Sequence, residues 1–291
     1  MKHPARHAPR TAVLALLAGL AAPACSIPGD AAWSDLHLNA YAAAFPVNVD
    51  AEGRNIQVDD TSGTGFTFDG DLTVEPNRAS SFLIGARAGF APFELVVSEF
   101  GYDGTHDGVV SGGATFNGVV IPAAADLDSR LDLDMSLTKL LVGVDVLNTP
   151  VARVGVLAGV DFFQFDRFSI TAREAVIAGG GGGGTIAIGD TEDILINEDA
   201  PVPVIGLRGD LRLPYGVRLG GELTGMNADI SDVDLSFVDL DLNANWSPWT
   251  NVEAVVGYRM ISADLDGTID GTALDVTLDA DGPYVGVAFF F

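Results

Sequence analysis

From residue 80 onward the chain repeats one unit: a stretch with every second side chain apolar, a short turn containing proline, and a second stretch of the same kind. Phe82, Ile84, Ala86, Ala88 and Phe90 share one face, with Gly85, Arg87 and Gly89 on the other; Ala91-Pro92 ends the run, and Phe93, Leu95 and Val97 resume it. Leu140, Val142, Val144 and Val146 alternate with Lys139, Gly143 and Asp145 up to Asn148-Thr149-Pro150, and Val154, Val156, Ala158, Val160 and Phe162 follow. Ile205 to Leu213 and Val217 to Leu223 flank Pro214, and Leu240 to Trp246 and Val252 to Tyr258 flank Ser247-Pro248. A period of two is that of a strand with one apolar face. A proline in the turn costs no ladder bond. With 31 Asp, 35 Gly and only two lysines the composition is poor for long helices, because Asp and Gly disfavour helix interiors. The chain reads as all-β, and no linker-like stretch divides it.

The first residues follow another logic. Lys2, Arg6 and Arg10 form a basic start, and Thr11 to Ala22 form an apolar core of about a dozen residues, the build of a signal peptide over 1–24. A membrane-spanning helix needs ~20 residues, so this core does not anchor the chain. Ala22-Pro23-Ala24 has the small-x-small pattern of a cleavage site and is followed by Cys25, the only cysteine. Two readings of Cys25 stand: ordinary cleavage before it, or lipidation of its thiol, for which Ala22 and Pro23 are a poor lead-in. The remaining 25–291 carries twelve Arg and Lys against forty Asp and Glu. So acidic a chain is a poor partner for nucleic acid.

No later stretch of ~18 apolar residues exists, so entry into a membrane requires a closed barrel, the other fold that satisfies its backbone in lipid. The expected architecture is a transmembrane antiparallel up-and-down β-barrel. Long Gly- and Asp-rich connections, 104–125 and 173–200, contrast with the tight proline turns. Outer-membrane barrels have short periplasmic turns and longer outer loops. On that polarity the strands fall near 33–47, 80–90, 93–104, 126–147, 151–172, 201–213, 217–230, 233–246, 251–265 and a last one reaching 291. That is ten, with eight or twelve as alternatives because Gly65-Phe66-Thr67-Phe68 also alternates. The apolar phase changes between Leu131, Leu133, Met135, Leu137 and Leu140 onward, and between Val233, Leu235, Phe237 and Val238 onward; a β-bulge is expected at each slip. Trp246, Trp249, Phe90, Phe93 and Tyr215 gather near the turns, as interfacial aromatics do.

The chain ends Gly282-Pro283-Tyr284-Val285-Gly286-Val287-Ala288-Phe289-Phe290-Phe291, with Val285, Val287, Phe289 and Phe291 on one face. This resembles the terminal strand of bacterial outer-membrane β-barrel proteins, the OmpA-like and related small barrels, which ends in Phe with apolar residues at alternate positions. The resemblance implies an outer-membrane location after Sec-type export, with Tyr284, Val285, Val287, Phe289 and Phe291 as a signal for the barrel-assembly machinery, and outer-membrane lipids as surroundings. Phe290 departs from the pattern by placing an apolar residue on the inner face.

If the apolar face meets lipid, the opposite face defines the lumen: Arg87, Glu94, Arg153, Asp161, Arg208, Asp210, Arg212, Arg218, Glu222, Asp239, Asp241, Glu253 and Arg259. Six bases interleave with seven acids, and a ten-strand barrel is narrow. Such residues should pair across it, arginine being suited to bidentate contacts with carboxylates. The expected protein has a charge-filled lumen and a structural or interaction role through acidic outer loops, with a narrow porin-like channel as the alternative. A secreted β-sandwich or periplasmic lipoprotein is the reading outside that class. The acids of 126–134 and 264–281 read as solvated charge, with divalent cations as possible company; Asp264-x-Asp266-Gly267 does not complete an EF-hand, and no metal site, cofactor or catalytic residue is assigned. Histidine is scarce beyond residue 24, with only His37 and His106, so the chain is expected not to be an enzyme; a loop hydrolase built on His106-Asp107 is the alternative. The run Gly179 to Gly184 lacks the Lys-Ser/Thr of a phosphate loop.

Overall fold

The computed structural model describes residues 37–58, 67–116, 119–121, 125–177, 184–187, 191–193, 200–230, 233–269 and 272–290. Ten strands make the wall. They are β1 (His37–Val58), β2 (Thr67–Phe90), β3 (Phe93–Phe116), β4 (Ala125–Asn148), β5 (Ala152–Ile177), β6 (Ala200–Leu213), β7 (Val217–Ile230), β8 (Val233–Trp249), β9 (Val252–Ile269) and β10 (Thr272–Phe290). Each pairs antiparallel with its sequence neighbours, and β1 pairs with β10 from Asn39↔Phe290 to Arg54↔Asp275, which closes the ring. Three short strands, Val119–Ile121, Gly184–Ala187 and Thr191–Asp193, extend β3 and β5 outside it. The expected up-and-down barrel is what the chain forms. The signal segment, Cys25, most of the glycine run and Phe291 lie outside the described residues.

One end of the wall is tight. Successive strands are joined there by Ala91-Pro92, by Pro150-Val151, by a single 3-10 turn Pro214–Gly216 and by Thr250-Asn251. Gly216 and Asn251 hold the left-handed conformations these reversals need, at φ 71° and 67°. The turn at Thr250-Asn251 replaces the one expected at Ser247-Pro248, because β8 continues through a register shift between Trp246 and Trp249. Adjacent turns are tied together: the Asp145 amide donates to the Pro92 carbonyl at 2.8 Å and the Arg212 amide to the Val151 carbonyl at 2.7 Å.

At the other end the wall is uneven. β1 to β5 run for 22, 24, 24, 24 and 26 residues. β6 to β10 run for 14 to 19. Much of what reads as loop in 48–79, 104–125 and 173–177 is therefore continued strand. The Phe68 segment pairs in the wall, opposite Val58. A membrane strand needs only ~9–11 residues, so the long half stands well clear of any bilayer.

Exposed apolar side chains form a band next to the tight end: Leu140, Val142 and Val144 on β4, Val238, Leu242 and Trp246 on β8, Val256, Tyr258 and Met260 on β9, Val285, Val287 and Phe289 on β10. Phe90, Phe93, Tyr215 and Trp249 crowd its lower edge. Beyond the band, toward the loop end, the outward positions turn acidic: Glu52, Asp71, Asp103, Asp107, Asp128, Asp234, Asp264, Asp266 and Asp279 are exposed. The inward positions change in the opposite sense. Leu131, Leu133, Met135 and Leu137 are buried inside β4, and Lys139 follows them on the same face.

This exchange removes the two expected bulges. Odd-numbered residues face inward along β4 from Leu131 to Gly143, and its pairing with β3 runs from Phe93↔Val144 to Ser111↔Asp126 without a shift. On β8, Phe237 and Asp239 are both inside, and the pairing with β9 is continuous from Val233 to Trp246. The strand keeps its phase while its surroundings swap. At band level the outside is apolar and the inside charged; above it the outside is acidic and the inside apolar. The irregularities of β4 lie in its pairing with β5 instead, between Asp128 and Ser129, between Asp134 and Met135, and at Val146, where Val146 and Leu147 both face outward.

Candidate functional site

Alternation and closure together turn the polar face of every strand toward one axis, and in the band the inward side chains meet across it. Glu94 on β3 and Asp145 on β4 are bridged by two arginines. Arg153 reaches Glu94 through Nη1 at 2.7 Å, and its Nε donates to both Asp145 oxygens at 2.8 Å. Arg208 reaches Asp145 through Nη2 at 2.5 Å and contacts Glu94 through Nη1. Arg87 Nη1 and His37 Nε2 each approach Glu94 at 3.5 Å, so the cluster spans β1 to β6.

A second layer lies further from the turns. Lys139 Nζ meets Asp239 Oδ2 at 2.6 Å, Glu222 Oε1 at 3.1 Å and Thr224 Oγ1 at 3.1 Å. Arg259 holds Asp239 by two bonds, Nε to Oδ1 at 3.0 Å and Nη2 to Oδ2 at 2.7 Å. Glu222 joins the layers, because its Oε2 accepts from Arg87 Nη2 at 2.8 Å. Asp161, the register partner of Lys139, is buried here, and neither of its oxygens has a hydrogen-bond partner among the described residues. Charges this deep carry a desolvation cost of several kcal/mol each, which only close multiple pairing offsets.

Below these layers the walls are polar and half-buried. Arg218 Nη2 pairs with Glu253 at 2.7 Å, and Ser247 donates to Glu253 at 2.9 Å. Along the inner face of β8 Asn245 donates to Asn243 at 2.7 Å and Asn243 to Asp241 at 2.9 Å, while Tyr284 Oη donates to Asp241 at 2.8 Å. Arg218, Asp241, Asn243, Asn245 and Tyr284 line a small open cleft together with Arg87 and Asp210. Tyr284 can lie there because its register partner is Gly257: a Cβ at that position would sit 2.3 Å from the ring's Cζ.

Above the second layer the lumen is apolar. Phe45 packs on Phe100 with ring centres 5.4 Å apart, Phe163 on Phe237 at 5.1 Å, and the Arg259 guanidinium lies 5.9 Å from the Phe100 ring centre, at the boundary between charge and oil. Higher still Tyr102 is hydrogen-bonded to Nε2 of His106, which is fully buried. Burial, and then the charge of Asp103, push the Tyr102 hydroxyl above its ordinary range.

Of the thirteen lumen residues expected from sequence, Glu94, Arg153, Asp161, Arg208, Glu222, Asp239, Glu253 and Arg259 are buried, and Arg87, Asp210, Arg218 and Asp241 are half-buried around the cleft. Arg212 continues the same face to the turn-end mouth, where it is exposed, one residue from the end of β6. Lys139 and Asp145 are absent from the sequence-derived set although they hold it together. Tyr284 faces inward, while Val285, Val287 and Phe289 face outward. His106 and Asp107 do not form a dyad, because they are consecutive in a strand and face opposite sides, one buried and the other exposed. Among the described residues no group of three or more His, Cys, Asp or Glu side chains is placed to hold a metal ion.

No protein-family model and no curated protein matches the sequence. Solved structures do match in fold. The outer membrane protease OmpT from Escherichia coli superposes with a TM-score of 0.59 at 14% identity, over 92% of this chain and 99% of that one. The translocator domain of the autotransporter NalP from Neisseria meningitidis matches at 0.37 and 12%, over 96% and 94%. The outer membrane protein OprG from Pseudomonas aeruginosa matches at 0.31 and 12%, over 88% and 95%. The first likeness corrects the expectation that this chain is no enzyme, since a protease is built on the same architecture. What the likeness establishes is the fold: this chain has the architecture of the bacterial outer-membrane β-barrels.

Proposed function

We propose that the chain is an outer-membrane barrel that spans the bilayer without offering a conducting path, with its tight end in the periplasm and its acidic, uneven end outside. The observation that carries this reading is the double closure of the lumen, Lys139 and Arg259 gripping Asp239 across the axis and the packed rings of Phe45, Phe100, Phe163 and Phe237 immediately above. A narrow channel would have to pass both. The role left to such a wall is held by its outward surface, where carboxylates ring the strands above the lipid band. Export behind residues 1–24, and use of Val285, Val287 and Phe289 as part of the assembly signal of the small-barrel class, belong to the same reading.

Planar-bilayer recording of the purified chain tests it. The unaltered protein is expected to give no stable conductance steps, and the pair Lys139→Ala with Phe237→Ala to give intermittent leak. Large, stable steps from the unaltered protein would overturn the reading. Heat-modifiable migration on electrophoresis and recovery in outer-membrane fractions test the location separately.

A further inference from the structure

The pairing that closes the ring is interrupted within the apolar band. β1 pairs with β10 from Asn39↔Phe290 to Ala44↔Val285, and the ladder resumes at Asn48↔Asp281 in the same register. The omitted positions place Pro46 directly opposite Pro283. Residues of a strand turn their N–H and C=O groups to one neighbour and then the other in alternation. Pro46 keeps its pairing with Ser80 of β2, and Pro283 keeps its pairing with Tyr258 of β9. Both missing donors therefore fall on the seam, which lacks two ladder bonds by covalent necessity. Proline within a sheet belongs on an edge, so β1 and β10 meet here as two edges. Pro201 and Pro203 of β6 stand instead beyond Ile205↔Gly225, where pairing with β7 has already ended.

Outward, the two prolines form the last apolar row of the seam, above Ala44 and Val285 and below Asn48 and Asp281. Further up, Asp50 stands opposite Asp279, and like charges opposed across strands weaken the pairing that would hold the upper seam. Inward, the rings of Phe45 and Tyr284 meet edge to face with centres 6.2 Å apart, and Phe45 leads on to Phe100. The closed seam leaves no room for a guest, since a Cβ on Gly282 would already lie 2.3 Å from the Pro46 carbonyl oxygen. We propose that the wall parts laterally at this seam and admits the acyl chain of an outer-leaflet lipid to the rings of Phe45 and Tyr284. Acyl chains bathe the band, and they carry no polar group that would lose its partners on entering an apolar space. The inference rests on the placement of the band in the bilayer, and the charged layers stay shut throughout.

The experiment uses the full chain in lipid vesicles, with Cys25→Ser so that only introduced thiols react. In hydrogen exchange, the amides of Ala44, Asn48, Asp281 and Val285, which flank the gap, are expected to exchange about tenfold faster than those of Leu240 to Ala244 in β8. Pro46→Val or Pro283→Val restores a donor and should slow them about tenfold. A diazirine-bearing phenylalanine at position 45 should give a lipid adduct on illumination, and the same group at position 237 none. Ala44→Cys with Val285→Cys, register partners facing outward, should abolish the adduct when oxidised and return it on reduction. Equal exchange in the two regions, an adduct at position 45 that is absent or indifferent to the disulfide, or an equal adduct at position 237 would each overturn the proposal. Should the proline variants fail to fold, the disulfide comparison decides alone. Recovery of the chain in outer-membrane fractions separates a failed seam from a failed membrane placement.

Discussion

Lys139 Nζ lies 2.6 Å from Asp239 Oδ2, joining β4 to β8 across the barrel. Both side chains are buried, and Lys139 also serves Glu222. Lys139→Met would leave Asp239 to Arg259 alone and Glu222 to Arg87 alone in a buried layer. The expected cost is roughly 3–5 kcal/mol, that of removing one partner of a buried pair. Urea unfolding in lipid vesicles reads it. Arg212→Glu, at the exposed mouth, is the contrast and should move the midpoint little.

On the outer face above the lipid band, carboxylates stand directly opposite one another. Asp234 pairs in register with Asp266, Asp266 with Asp275, and Asp103 with Asp134. Like charges opposed across strands destabilise a sheet. Asp266→Asn should therefore raise the Tm at low ionic strength. The gain should shrink toward zero in 1 M salt, where the screening length is about 3 Å; a gain that persists there would show that charge is not its cause.

The fit of Tyr284 over Gly257 yields a steric prediction. Gly257→Ala would drive a methyl group to 2.3 Å from the ring, tearing the Tyr284 hydroxyl from Asp241. A loss of about 1–3 kcal/mol is expected, typical of overpacking. Gly209→Ala is the control, since its nearest contact would be the Arg153 carbonyl at 3.9 Å. Comparable losses for both would point to strand propensity in place of the ring.

His106 and Asp107 should behave as unlike neighbours. His106→Ala removes a buried ring stacked 5.9 Å from Tyr102 and strands the Tyr102 hydroxyl in an apolar interior, at about 1–3 kcal/mol for the unpaired group alone. Asp107→Ala, on the exposed face, should fall within about 0.5 kcal/mol of the parent. Thermal unfolding of the two variants side by side decides whether they share a task.

The wall was legible because alternation and proline turns are local signals; alternation survives in every hairpin, and proline marks three of the four tight turns, the fourth lying at Thr250-Asn251 beyond Ser247-Pro248. Lys139 and Asp145 were legible too, alternating with Leu140 and Val142, yet they read as spacers because pairing across a lumen depends on which strands face each other. The apparent slips at Leu137 and Phe237 misled for a physical reason: hydropathy marks the dry side, and the dry side changes from outside to inside along a strand that never slips.

That exchange of sides has a consequence for how the molecule meets its surroundings. A barrel resting wholly on lipid would lose its hold whenever thickness or composition of the bilayer changed. Here the portion of β1 to β5 beyond the band keeps a dry interior of its own around Val49, Leu131, Leu133 and Tyr102 and is wetted by aspartate outside. It has the layering of a water-soluble protein, and it can stay ordered while the lower half adapts to whatever membrane holds it.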